Sequence, residues 1–151
     1  LPRDLLDKML AAKNVNVGLN MARQIYLSTL DLEIHGANPP TTAEGLQALV
    51  DRLRPEISLI ENPAGANMLR SFGHLMNQYS AAYYGYLWAE VLSADMFAQC
   101  FEKDPFDAKA GKRYRDLVLA PGGVGKILDH LTTFLGRPPS QEAFLKSRGI
   151  A

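Results

Sequence analysis

The sequence predicts an all-α fold, an irregular array of several helices. Three observations carry this. Apolar residues recur at steps of three and four along most of the 151 residues, which keeps them on one side of a 3.6-residue helix. No stretch shows the sustained period-two alternation of a half-buried strand. Gly, Pro and Asn cut the chain into helix-length segments with short connections, which suits an orthogonal array better than a coiled coil.

Residues 3 to 13 hold Leu5, Leu6, Met9 and Leu10 in helical spacing, with Pro2 tolerated at the entry. Asn14 to Asn16 breaks that helix. A second is expected over 17 to 35, with Leu19, Ala22, Ile25, Tyr26, Leu30 and Ile34 apolar. Gly36 is a C-cap stop, and Pro39-Pro40 forbids continuation. His35, in the last turn, suits the partial negative charge of a helix C-terminus. Thr41 and Glu44 match a capping box. The helix they open carries Leu46, Leu49, Val50 and Leu53 inward, and Pro55 disfavours helix at Arg54, where it is expected to end or kink.

Residues 60 to 71, with Asn62-Pro63, Gly65 and Asn67, read as loop. A long helix is expected from about Ala81 to Glu102, ended by Asp104-Pro105. Asp107 caps the next, over 108 to 120, which holds Tyr114, Leu117, Val118 and Leu119. Pro121-Gly122-Gly123 is a stop and turn. A helix from about 124 to 135 follows, with His130 at its surface, and Gly136-Arg137-Pro138-Pro139 stops it. Ser140 caps a final helix with Phe144 and Leu145, ending at Gly149.

Bulk composition narrows the function classes. Hydrophobic content of 47% and charged content of 21% are ordinary for a globular chain long enough to build a core. Sixteen Lys and Arg balance sixteen Asp and Glu, so no basic excess points to nucleic acid and no acidic tail is present. No apolar run approaches the roughly 18 residues of a membrane span. The single cysteine, Cys100, excludes an internal disulfide, fits a reducing compartment and reads as a small buried hydrophobe. The chain begins at Leu1 without a secretory leader, and is expected to be a piece of something longer. It shows no internal repeat and no clear internal boundary.

The chemistry concentrates between Phe72 and Glu90, where four of six tyrosines, the one tryptophan and His74 fall. On a helix from Ala81, Tyr83, Tyr86 and Glu90 would share a phenol and carboxylate face. Tyr84, Trp88 and Val91 would form a neighbouring apolar face able to dock on a core. Residue types alone favour core packing over surface chemistry, for His74 as for the aromatics, because Tyr and Trp bury large apolar areas and find a partner for their polar tip. Gly122-Gly123-Val124-Gly125-Lys126 lacks the spacing of a phosphate-binding loop, and no strand precedes it.

One resemblance decides between these readings. Phe72-Gly73-His74-Leu75, Tyr79, Tyr83 to Val91 and Ser93-Ala94-Asp95-Met96-Phe97 resemble the C-terminal part of the thimet oligopeptidase family. That group of zinc metallopeptidases includes neurolysin, saccharolysin and bacterial oligopeptidase A. Leu1 to Lys8, Gly18-Leu19, Arg23-Gln24, Tyr114-Arg115, Pro121-Gly122-Gly123, Phe134 to Arg137 and Ala143 to Leu145 extend the likeness over essentially the whole chain.

The resemblance implies that residues 1–151 are the C-terminal portion of the catalytic region of a larger, mostly helical, two-lobed peptidase. Such an enzyme hydrolyses short peptides in a deep channel. Zn2+ would be the cofactor of the full-length parent, held by a His-Glu-x-x-His helix and a later Glu upstream of Leu1. No metal ligand is assigned to this chain, and the fragment alone is expected to be inactive. Its partners would be the zinc-binding part of the same polypeptide and short peptides, with no nucleic acid and no membrane. Its location would be cytoplasmic or the mitochondrial matrix.

The resemblance further implies that Tyr86 is the catalytic donor to the oxyanion, while His74 and Tyr79 bind the substrate backbone and Tyr83 shapes the subsite. A phenol with pKa near 10 stays protonated at neutral pH and donates without a counter-ion. Where many relatives carry a Gly-rich run, this chain has Met76-Asn77-Gln78, and Ser80 replaces an Asp. The side chains at 76 to 78 are expected to stiffen the loop and narrow or alter its subsite. The alternative class is a non-catalytic helical module whose Tyr and Trp surface binds a protein or peptide.

Overall fold

A computed structural model describes residues 1–150, and every regular element among them is helical. In chain order these are α1 (Arg3–Ala11), α2 (Val17–Ile34), α3 (Ala43–Ser58), α4 (Gly85–Cys100), α5 (Ala108–Tyr114), α6 (Ile127–Leu135) and α7 (Glu142–Ser147). Short 3-10 turns occupy Met68–Ser71 and Gly73–Met76, and α5 runs on into a π-helical turn over Arg115–Leu119. No described helix is long and apolar enough to cross a membrane. Two compact units emerge where no boundary was legible in the sequence: Leu1–Leu87, and the chain from Trp88 onward.

The first unit is built on α2 and α3. Tyr26, Leu27 and Leu30 of α2 form one buried cluster with Leu49, Val50 and Leu53 of α3; the sequence reading of α2 missed Leu27, and Leu19 and Ile25, which it placed on the apolar face, are exposed. Phe72, Leu75 and Tyr83 complete it, so the segment ahead of α4 is part of this core. Burying each of these large apolar side chains contributes about 1.5–3 kcal/mol. Helix α1 forms as expected but buries nothing, and Leu5, Met9 and Leu10 stay exposed.

Two boundaries in this unit differ from the sequence reading. The cap of α3 is Thr42, not Thr41; its Oγ1 accepts the Gly45 N–H at 3.1 Å. Glu44 then lies in the first turn, where its charge suits the helix dipole. The helix also passes through Pro55 and ends at Ser58. Continuing it places Ile57 against the core and buries Ser58, whose hydroxyl donates to the Arg54 carbonyl at 2.6 Å. Leu59, in the left-handed region at φ 59°, closes the helix in place of a glycine.

The central helix begins at Gly85 rather than Ala81. Ala81 has φ 58° and cannot lie in a right-handed helix, so the preceding residues form turns. Asp107 caps α5 as predicted, accepting the Lys109 and Ala110 N–H groups at 2.8 and 3.2 Å. Helix α6 starts three residues later than expected and stops at Gly136, at φ 75°. His130 is half-buried rather than at the surface, because its Nε2 meets the Val124 carbonyl at 2.8 Å and closes the preceding turn. The residue at the cap position of α7 is Gln141 rather than Ser140, although Ser140 Oγ accepts the Glu142 N–H at 3.2 Å.

The second unit buries Leu131, Phe134 and Leu135 of α6 with Ala110 and Phe144. Phe101, Tyr114 and Phe134 pack ring on ring at 5.8 to 6.5 Å. Asp95 of α4 is buried beside them in this unit at 2% exposure. Its two oxygens take Arg137 Nη2 at 2.6 Å and Nη1 at 2.9 Å, and the Ser140 N–H at 2.7 Å. The Arg137 hydrogen bond holds the Asp95 carboxyl below its ordinary pKa; burial opposes this, and the Ser140 N–H and the guanidinium charge assist.

Two expectations follow from this packing. Asp95→Asn sets an amide against donors and should lower the midpoint of denaturant unfolding by an amount equivalent to about 1–3 kcal/mol. Because the folded pKa is depressed, the native contribution is complete above the unfolded value of about 4 and is lost as pH falls through the lower folded value. The Asn variant should lack that acid-dependent loss. Separately, the 151-residue chain alone, with Leu1, Leu5, Met9, Leu10 and Leu19 exposed, should associate as its concentration rises. A constant monomer mass in light scattering would contradict this.

Candidate active site

The site begins with a loop that ties itself down. Phe72 and Leu75 are buried and flank the turn that carries His74. Asn77 Oδ1 accepts the Tyr79 N–H at 3.0 Å. Ser80 Oγ donates toward the Leu75 and Asn77 carbonyls at 2.8 and 2.7 Å. Asn77 and Ser80 therefore stiffen this stretch, while Met76 projects into solvent at 89% exposure.

The next residues are fixed from far away in sequence. Asp31, on α2, is fully buried. Its Oδ1 accepts the Ala81 N–H and its Oδ2 the Tyr83 N–H, both at 3.0 Å. His35, one turn along α2, brings Nδ1 to within 3.0 Å of the same Oδ1. This bond, rather than the helix dipole alone, explains His35 at that position. Sequence reasoning missed Asp31, although the signal was present. It shares the apolar side of α2 with Leu27, Leu30 and Ile34, and a lone carboxylate on such a face needs buried donors.

Above this anchor the four residues singled out by sequence converge. The His74 ring lies 5.5 Å from Tyr79, 5.2 Å from Tyr83 and 5.8 Å from Tyr86, between ring centres. Tyr79 stacks on Tyr86 at 5.3 Å, and Tyr83 meets Tyr86 edge-on at 5.2 Å. Phe72 backs Tyr83 at 5.1 Å. Exposure is graded across the cluster. Tyr83 is core at 8%, His74 and Tyr79 are half-buried, and Tyr86 is open at 41%.

The electrostatics favour a neutral phenol. The pKa of Tyr86 is raised above its ordinary value, first by a hydrogen bond with the Tyr79 side chain, then by desolvation and by the Tyr79 and Tyr83 charges that would form. Every one of these disfavours the phenolate. The arrangement thus sets an exposed, neutral tyrosine beside an imidazole, backed by rings that are themselves packed.

Other expectations are altered. Glu90 does not share a face with Tyr83, which lies in the turn before α4; its carboxylate binds Arg148 Nη2 at 2.6 Å. Tyr84 and Trp88 do not dock on a core and remain about half exposed. Among the described residues, no three His, Cys, Asp or Glu side chains are grouped to hold a metal ion, and His35 and His130 are engaged as above. The residues of this chain do not fit a zinc site.

Comparison with known proteins supplies a family for this helical chain. The model of peptidase family M3 matches residues 1–150. The chain belongs to peptidase family M3. It is 44% identical to saccharolysin of Saccharomyces cerevisiae, over 99% of this chain and 21% of that protein. It is 39% identical to the thimet-like oligopeptidase of Dictyostelium discoideum and 33% to oligopeptidase A of Escherichia coli, in each case over 99% of this chain and 22% of the relative. It therefore spans about a fifth of the length of these curated relatives.

Tyr79→Phe removes the largest cause of the raised Tyr86 pKa. The Tyr86 phenol should then ionise at lower pH, as read by NMR titration of ring-labelled tyrosine. An unchanged titration would mean that the two hydroxyls do not interact.

Proposed function

We propose that this chain is the substrate-binding wall of a zinc-dependent metalloendopeptidase that hydrolyses short peptides. In this reading it is the C-terminal portion of the catalytic region. Tyr86 is the catalytic donor. Attack of water on a peptide carbonyl builds negative charge on its oxygen, and a neutral O–H aimed at that oxygen stabilises the charge as it forms. The convergence of three rings around one exposed tyrosine whose pKa is raised carries the reading.

His74 and Tyr79, half-buried beside the donor, bind the substrate backbone, and Tyr83 shapes the subsite from beneath. Asn77 and Ser80 hold their loop in one conformation, which narrows the range of substrates relative to a glycine-rich loop. Zinc belongs on this reading to a His-Glu-x-x-His segment upstream of Leu1, in the rest of the same polypeptide. The names of the relatives, oligopeptidases described as cytosolic or as chloroplastic and mitochondrial, support peptides as substrates and the cytoplasm or the mitochondrion as the compartment.

Tyr86→Phe in the full-length protein tests the assignment. It deletes one oxygen and keeps the ring packing. The expected result is a fall in kcat of about 10²- to 10³-fold on a short peptide, with KM little altered. Near-normal turnover would remove Tyr86 from the chemistry.

A further inference from the structure

We infer that Asp31 is a positioning residue for peptide cleavage, its carboxylate setting the turn that aims Tyr79 and Tyr86. The inference rests on the role of Tyr86 proposed above. Its basis is a chain of hydrogen bonds. Asp31 lies on α2 and is 0% exposed. A carboxylate in that setting is strongly unfavourable unless its oxygens are used, and both are. Oδ1 accepts the Ala81 N–H and Oδ2 the Tyr83 N–H, while His35 Nδ1 lies 3.0 Å from Oδ1 and 2.9 Å from the Asp31 main-chain carbonyl.

The amides it binds are main-chain groups, so the carboxylate fixes backbone position rather than one side chain. The turn passes that position on in both directions. The Ala82 N–H donates to the Tyr79 carbonyl at 2.9 Å, and the Tyr86 N–H donates to the Tyr83 carbonyl at 3.2 Å. Ala81, between them, is held at φ 58°, which alanine disfavours. A strained residue beside a functional cluster persists only when its surroundings over-determine it. Here the surrounding constraint is Asp31.

The test uses the full-length protein. Asp31→Asn keeps the shape but turns an amide NH2 toward backbone donors. The expected result is a fall in kcat of about ten- to a hundredfold, with KM changed much less, as for a small displacement of a catalytic group. If Asp31 acts through Tyr86, the double variant Asp31→Asn, Tyr86→Phe should be no slower than Tyr86→Phe alone, within about twofold. Losses that multiply, or wild-type kcat in Asp31→Asn while Tyr86→Phe is impaired, would overturn the inference and leave the site reading standing. Near-normal turnover of Tyr86→Phe would instead sink the site reading. The 19F resonances of fluorotyrosine at 79 and 86 would then decide positioning: shifts in Asp31→Asn support it, and unmoved resonances overturn it. Should the Asn variant fail to fold, Asp31→Glu, which keeps the charge and displaces it by one methylene, is scored the same way.

Discussion

The carboxylate of Asp31 ties together two stretches of chain 50 residues apart, and the first unit is arranged around that tie. Two main-chain N–H groups donate to a side chain with no solvent access, and the His35 ring lies against it. In a low-dielectric interior such bonds are strong, and each is costly to lose. The consequence is geometric. With Ala81 and Tyr83 fixed by their amides, the Tyr83 ring enters the cluster of Leu30, Val50 and Phe72, and α4 starts at Gly85. The residues on either side of Tyr83 are then displayed rather than buried.

The second unit uses the same device with a different outcome. Asp95 is also buried and also accepts a backbone N–H, that of Ser140, but its main partner is the guanidinium of Arg137. A charged partner shifts the pKa of Asp95 down and makes its contribution depend on acid. Asp31 has two main-chain amides and an imidazole instead. One carboxylate joins a helix to an Arg-Pro-Pro-Ser connection; the other joins a helix to the turn that presents the phenols.

How much of this the sequence disclosed follows from how local each cause is. The apolar face of α3, part of that of α2, the Asp107 cap and the glycine stop of α6 arise from residues within a turn or two, and were legible. The start of α4 was not. Between Ala81 and Tyr84 the sequence looks helical, and only a bond from Asp31 reverses it. The passage of α3 through Pro55 was hidden for a similar reason, since core contacts of Ile57 outweigh the local preference. For the site, residue types alone favoured core over chemistry. Resemblance picked out His74, Tyr79, Tyr83 and Tyr86, and their convergence shows why both descriptions apply: Tyr83 is core, while Tyr86 is surface.

That division bears on the proposed chemistry. A donor to a developing oxyanion must be neutral, exposed to substrate and unable to swing away. Exposure normally works against the last requirement, because an open side chain samples several rotamers. Here Tyr79 stacks on the Tyr86 ring while Tyr83 and His74 meet it edge-on, so the ring is confined although the residue is 41% exposed. The same contacts bring the Tyr79 hydroxyl close enough to raise the Tyr86 pKa. Confinement and protonation thus have one structural origin. A change that loosens the stack should weaken both together, whereas a flat aromatic patch built only for adhesion would have no reason to couple them.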